Sequence, residues 1–81
     1  MPKNTITIKT RRANYQLLGY VVNDFGDYAV ALLFNPTTDI EPYVIAYDLQ
    51  EEDGFYFWST GHYDNNKKRI KKAFIQIIKV M

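Results

Sequence analysis

The stretch Ile70-Lys71-Lys72-Ala73-Phe74-Ile75-Gln76-Ile77-Ile78-Lys79-Val80-Met81 decides the fold. Ile70, Ala73, Phe74, Ile77, Ile78 and Met81 recur at i, i+3, i+4, i+7, i+8 and i+11, which is one stripe of an α-helix. Lys68, Lys71, Lys72 and Lys79 fall on the other side. Asp64, Asn65 or Asn66 supplies the N-cap, because a short polar side chain there satisfies an orphan backbone N–H of the first turn. Such a stripe needs an apolar surface to cover, and everything before it reads as β-structure.

Moving back along the chain, Phe55 to Thr60 is an aromatic strand with Phe55 and Phe57 on one face and Tyr56 and Trp58 on the other. Gln50 to Gly54 is an acidic turn. Tyr43 to Leu49 is a strand whose alternation puts Tyr43, Ile45, Tyr47 and Leu49 on one side, with Val44, Ala46 and Asp48 opposite. Asn35 to Asp39 and Pro42 break the chain before it. Tyr28 to Phe34 and Tyr15 to Val22 are apolar strands joined by Asn23-Asp24-Phe25-Gly26, which predicts a hairpin. Thr10 to Asn14 is a polar turn, and Thr5 to Ile8 a short strand after a loose start at residues 1–4. The expected fold is α+β: an antiparallel β-meander of about four or five strands with one C-terminal amphipathic helix packed on one face, residues 1–81 forming a single domain.

A chain of 81 residues buries roughly 60–65% of its unfolded surface, near the lower limit for folding unaided. A 47% hydrophobic content with seven Tyr, five Phe and one Trp meets that demand. The absence of Cys excludes disulfide scaffolds, thiolate metal sites and cysteine catalysis, and fits a reducing compartment. No apolar run reaches the roughly 20 residues that span a bilayer, and no signal-peptide pattern opens the chain. A soluble, cytoplasmic protein with no membrane partner is expected.

The net charge of +1 hides a segregation. Lys3, Lys9, Arg11 and Arg12 lie in the first twelve positions; Lys67, Lys68, Arg69, Lys71, Lys72 and Lys79 lie in the last fifteen. Residues 13–66 hold no Lys or Arg and all nine acids. Two readings follow. The basic ends fold back and neutralise the acidic middle, or they serve an outside partner.

The cluster Lys67-Lys68-Arg69-x-Lys71-Lys72 sits where the helix dipole disfavours cations by a few tenths of a kcal/mol each. An acidic turn at Glu51, Glu52 and Asp53, solubility, or an external polyanion would each justify it. Lys and Arg contacts to phosphate dominate nucleic-acid affinity and need no base-specific geometry. Arg11 and Arg12 extend the same patch if the first strand lies beside the helix start.

Asp53 to Thr60 partly matches an RNA-recognition strand at Gly54, Phe55 and Phe57, but Asp53 stands where a cation belongs and Tyr56 replaces a small residue. The βαββαβ order of that family is absent too. On the bland reading these aromatics are core on one side and cross-strand packing on the other. Tyr56 and Trp58, opposite the helix-covered face, would otherwise form an exposed patch of the kind that binds partners. His62, with Asp64 to orient it, is a candidate acid or base without a nucleophile, and one His with scattered carboxylates is below the requirement for a metal. The four glycines are isolated, so no phosphate-cradling loop exists. No cofactor, metal or enzymatic activity is expected.

The run Tyr43-Val-Ile-Ala-Tyr-Asp-Leu-Gln-Glu-Glu-Asp-Gly54, followed by Phe57-Trp58 and Gly61-His62-Tyr63, resembles a hairpin in small uncharacterised proteins of phages and mobile elements of low-GC Gram-positive bacteria. The resemblance covers residues 43–64 and carries no binding residues over. It implies a short accessory protein of a kind that binds nucleic acid or a host protein. The leading expectation is therefore a non-enzymatic protein contacting DNA or RNA phosphates, with low sequence specificity, through Lys67, Lys68, Arg69, Lys71 and Lys72, helped by Arg11 and Arg12. The alternative is a protein-binding module or inhibitor that engages a host or phage protein through Asp48, Glu51, Glu52, Asp53, Tyr56 and Trp58. Homodimerisation through an open strand edge or aromatic face is a third.

Overall fold

The computed structural model describes residues 6–80. Lys3, the strand start at Thr5 and Met81 of the helical stripe lie outside the described residues. The described chain forms seven strands and one helix: β1 (Thr7–Lys9), β2 (Asn14–Val22), β3 (Tyr28–Phe34), β4 (Tyr43–Tyr47), β5 (Gln50–Glu52), β6 (Phe55–Phe57), β7 (Thr60–Asp64) and α1 (Lys67–Val80). Five strands make an antiparallel sheet in the order β1-β2-β3-β4-β7, while β5 and β6 form a separate two-stranded arm. This is the expected α+β architecture, with the helix packed on one sheet face.

The hairpins have local causes. Asn23 Oδ1 accepts hydrogen bonds from the N–H groups of Phe25 (2.9 Å) and Asp27 (3.1 Å), and Gly26 takes φ 83°, so the β2–β3 turn forms where the polar cluster predicts it. Asp53 and Gly54 have φ 56° and 84°, both positive, as a two-residue turn between right-twisted strands requires. The acidic turn is thus narrower than expected: Gln50, Glu51 and Glu52 are strand residues, paired with Phe57, Tyr56 and Phe55.

Several expectations are overturned. Phe55 to Thr60 is not one strand. Phe55–Phe57 belongs to the arm, while Thr60, expected to end that strand, starts the sheet's edge strand Thr60–Asp64 beside β4. Gly, His and Asp are weak strand formers, but Val44, Ile45 and Ala46 of β4 are fully buried. Their backbone groups on both edges need partners, and with β3 on one side, β7 supplies the other. Leu49, expected on the side of Tyr43, Ile45 and Tyr47, packs instead with Val44 and Ala46. Asp48 at φ 53° breaks the pleat, so the residue after it changes face, while Asp48 and Leu49 still donate to the carbonyls of Ala29 and Tyr28.

The sheet is apolar on both sides. On one, Val30, Leu32 and Ile45 pack with Ile70 and Phe74 of the helix, flanked by Val21, Tyr43, Tyr47, Ala73 and Ile77. Ile78, expected in the buried stripe, is exposed. On the other face Ile8, Ala31, Leu33, Val44, Ala46 and Leu49 are covered by Tyr15, Leu17, Tyr28, Tyr56 and Trp58. The arm brings Tyr56 and Trp58 down onto this second face, so they are half-buried and not the exposed patch expected of them. Helix, sheet and arm make three layers.

Candidate functional site

The helix start is built from two polar residues. Asn66 is the N-cap: its Oδ1 accepts from the Arg69 N–H at 2.9 Å and its carbonyl from the Ile70 N–H at 3.1 Å. Asp64, buried at the end of β7, accepts from the Asn66 N–H at 3.0 Å and from Arg69 Nε and Nη2 at 2.6 Å each, a bidentate pair. The Arg69 guanidinium holds the Asp64 carboxyl well below the usual carboxylate range, aided by the backbone N–H bonds of Asn66 and Asn65 and opposed by desolvation. The same partner raises the Arg69 pKa. Asp64 is thereby committed to Arg69 and does not orient His62, which lies exposed on β7 opposite Ile45.

This pair has a pH signature. Because the folded-state pKa lies below the unfolded value of about 3.9, its stabilisation is complete above about pH 4 and disappears as pH falls through the folded value. Asp64→Asn should therefore melt below wild type at neutral pH, and the gap should close as the pH is lowered from about 4. A gap that stays constant in thermal melts across this range would refute the assignment.

The other cations of the cluster have no such partner. Lys67, Lys68, Lys71 and Lys72 are all exposed, and among the described residues the Arg69–Asp64 contact is the only ion pair. The register opposes Tyr43 to Asp64, which brings the β3–β4 loop with Asp39 and Glu41 out at the sheet end where the helix begins, yet neither acid is paired with a lysine. Glu51, Glu52 and Asp53, one of the three justifications offered for the cluster, are exposed on the arm and form no ion pair among the described residues. The first helical turn holds no acid. Lys67/Lys71 and Lys68/Lys72 are like-charge i, i+4 pairs, each costing a few tenths of a kcal/mol. The fold leaves this cost uncompensated.

Arg11 and Arg12 do not join this patch. They occupy the β1–β2 turn at the far edge of the sheet from β7, where Thr10 Oγ1 accepts from the N–H groups of Arg12 and Ala13. The Arg11 guanidinium lies 4.7 Å from the centroid of the Phe55 ring. With Tyr15, Trp58, Tyr63 and the arm, the two arginines line a cleft of about 600 Å³ on the face opposite the helix. Tyr15 meets Trp58 edge-on at 5.4 Å, and Trp58 Nε1 donates to the Tyr63 hydroxyl at 3.0 Å. Burial raises the phenol pKa of both Tyr15 and Tyr56. Sequence reasoning missed Phe55, Phe57, Tyr15 and Tyr63 as companions of the arginines, because no local pattern joins residues 11–15 to residues 55–63.

Of the acidic residues, Asp48 and Glu51 meet Asp27 around a second cleft of about 440 Å³, whereas Glu52 lines the arginine cleft and Asp53 sits at the tip of the arm. No group of three or more His, Asp or Glu among the described residues is placed to hold a metal ion, and no helix among them is long and apolar enough to cross a membrane.

The molecule is thus a small α+β domain with an uncompensated lysine face and an aromatic cleft. Comparison of the chain with protein-family models, curated proteins and solved structures gives no match.

Proposed function

We propose that the protein is a non-enzymatic accessory protein, of the kind carried by phages and mobile elements, that binds nucleic acid through backbone phosphates. Lys67, Lys68, Lys71 and Lys72 make the contacts, and Arg69, its side chain 65% exposed, adds the donors that Asp64 leaves free. One observation carries the reading: four exposed lysines crowd a helix start where dipole and mutual repulsion disfavour them, and no carboxylate among the described residues pairs with them. Point charges on flexible stems suit phosphate contacts with little sequence preference.

Fluorescence-polarisation titrations with labelled single- and double-stranded DNA and RNA test it. Four phosphate contacts give a slope of about −3 to −4 in log affinity against log salt on duplex DNA. Lys68→Glu/Lys71→Glu/Lys72→Glu should weaken binding at least ~10-fold at low salt with the melting curve preserved. Unchanged affinity would sink the proposal. Absence of binding even at low salt would favour a protein partner on the acidic side, where Asp27 of the β2–β3 turn, Asp48 and Glu51 of β5 line one cleft.

A further inference from the structure

We propose that the cleft between the β1–β2 turn and the arm is a second binding site, specific for single-stranded nucleic acid, in which unpaired bases stack on Phe57, Tyr63 and Trp58 while Arg11 and Arg12 hold the adjoining phosphates. It stands whether or not the helix lysines bind.

Three features of the cleft support this occupant. Its volume of about 600 Å³ lies within the range of sites for base-sized ligands. Its rings are presented: Phe57 and Tyr63 are 45% and 46% exposed, and the Trp58–Tyr63 hydrogen bond fixes the rings of Trp58 and Tyr63. Its charge is net positive, two guanidiniums against the single carboxylate of Glu52. An apolar peptide would use the rings and leave the arginines idle, and a duplex would use the arginines and leave the rings idle, because its base faces are already stacked. A single strand offers both a bare base face and a phosphate, the combination that aromatic platforms edged with arginine recognise. Arg11, stacked on Phe55, has its guanidinium positioned before any ligand arrives. The lysine face cannot substitute, since it lies across the sheet and contains no aromatic residue.

Trp58 is the only tryptophan, so its fluorescence reports on this cleft directly. The full chain is titrated with a short thymidine oligomer, a duplex of equal length and thymidine monophosphate. The oligomer should quench Trp58 saturably, roughly 10-fold or more tighter than either of the others. Arg11→Glu/Arg12→Glu and, separately, Phe57→Ser should each weaken that quench at least ~10-fold; the exposed Phe57 ring can be removed without opening the core, so one variant remains informative if the other fails to fold. Lys68→Glu/Lys71→Glu/Lys72→Glu should leave the quench in place, which separates failure of this site from failure of the helix site. Absence of a quench, equal quenching by duplex or monophosphate, or its loss in the lysine variant would overturn the proposal.

Discussion

Phe74→Ala should cost about 3–5 kcal/mol, the range for deleting a buried aromatic ring, and lower the melting temperature by at least ~12 °C at about 4–8 °C per kcal/mol. Phe74 is the wedge between helix and sheet. It packs with Ile70, Val30, Leu32 and Ile45, and its ring reaches the backbone of β2, where a Cβ on Gly19 would stand 2.9 Å from Phe74 Cε2. The missing side chain at Gly19 is what lets the ring come this close to the strand. Removing the ring leaves a void whose floor is a hydrogen-bonded sheet, and a sheet cannot collapse inward as loose side chains do. Small domains have only about 5–15 kcal/mol to lose, so this is a large fraction of the whole. A shift of only a few degrees in far-UV circular dichroism melts would show that the helix is held by something else.

Trp58→Ala should cost about 3 kcal/mol, the low end of the same range because the ring is half-buried, and its effect should be local. The indole touches Tyr15 edge-on, donates to the Tyr63 hydroxyl and lies over Gly61, where an added Cβ would come within 3.1 Å of Nε1. It is the clasp that holds the arm against the sheet. A two-stranded hairpin is marginal by itself in water. In the variant, amide protection of Gln50–Phe57 should fall toward that of a free hairpin, while β3 and β4 lose only the global difference in stability. Uniform loss across both sheets would mean that arm and core are one cooperative unit.

The arm also shows where local reading stops. The Asp53-Gly54 turn is legible, because both residues tolerate positive φ and the strands on either side are short. The destination of its strands is not. Glu51 and Glu52 read as turn residues by their charge, and Phe55 to Thr60 reads as one strand by its aromatic run. What divides that run is the need of the buried strand β4 for a second neighbour, which draws Thr60–Asp64 into the sheet despite its composition. Asp48 is similar: a single residue at φ 53° moves Leu49 to the opposite face, and no periodicity count registers it.

The helix, a set of three cap candidates that includes Asn66, the β2–β3 hairpin and the segregation of charge can all be read from the residues alone. Each of these rests on spacing within a few residues, or on bare counts, and needs no distant partner. Tertiary structure alone decided which cations stay unpaired and which aromatics meet the arginines. Arg69 is taken by Asp64 five positions away, whereas Lys67, Lys68, Lys71 and Lys72 stay exposed and form no ion pair among the described residues, even with Asp39 and Glu41 carried to the same end of the sheet. Arg11 meets Phe55 only because a short hairpin folds back over the sheet. Pairing at a distance depends on the relative placement of packed elements, and that placement is set by the sum of many weak contacts rather than by any one stretch of chain.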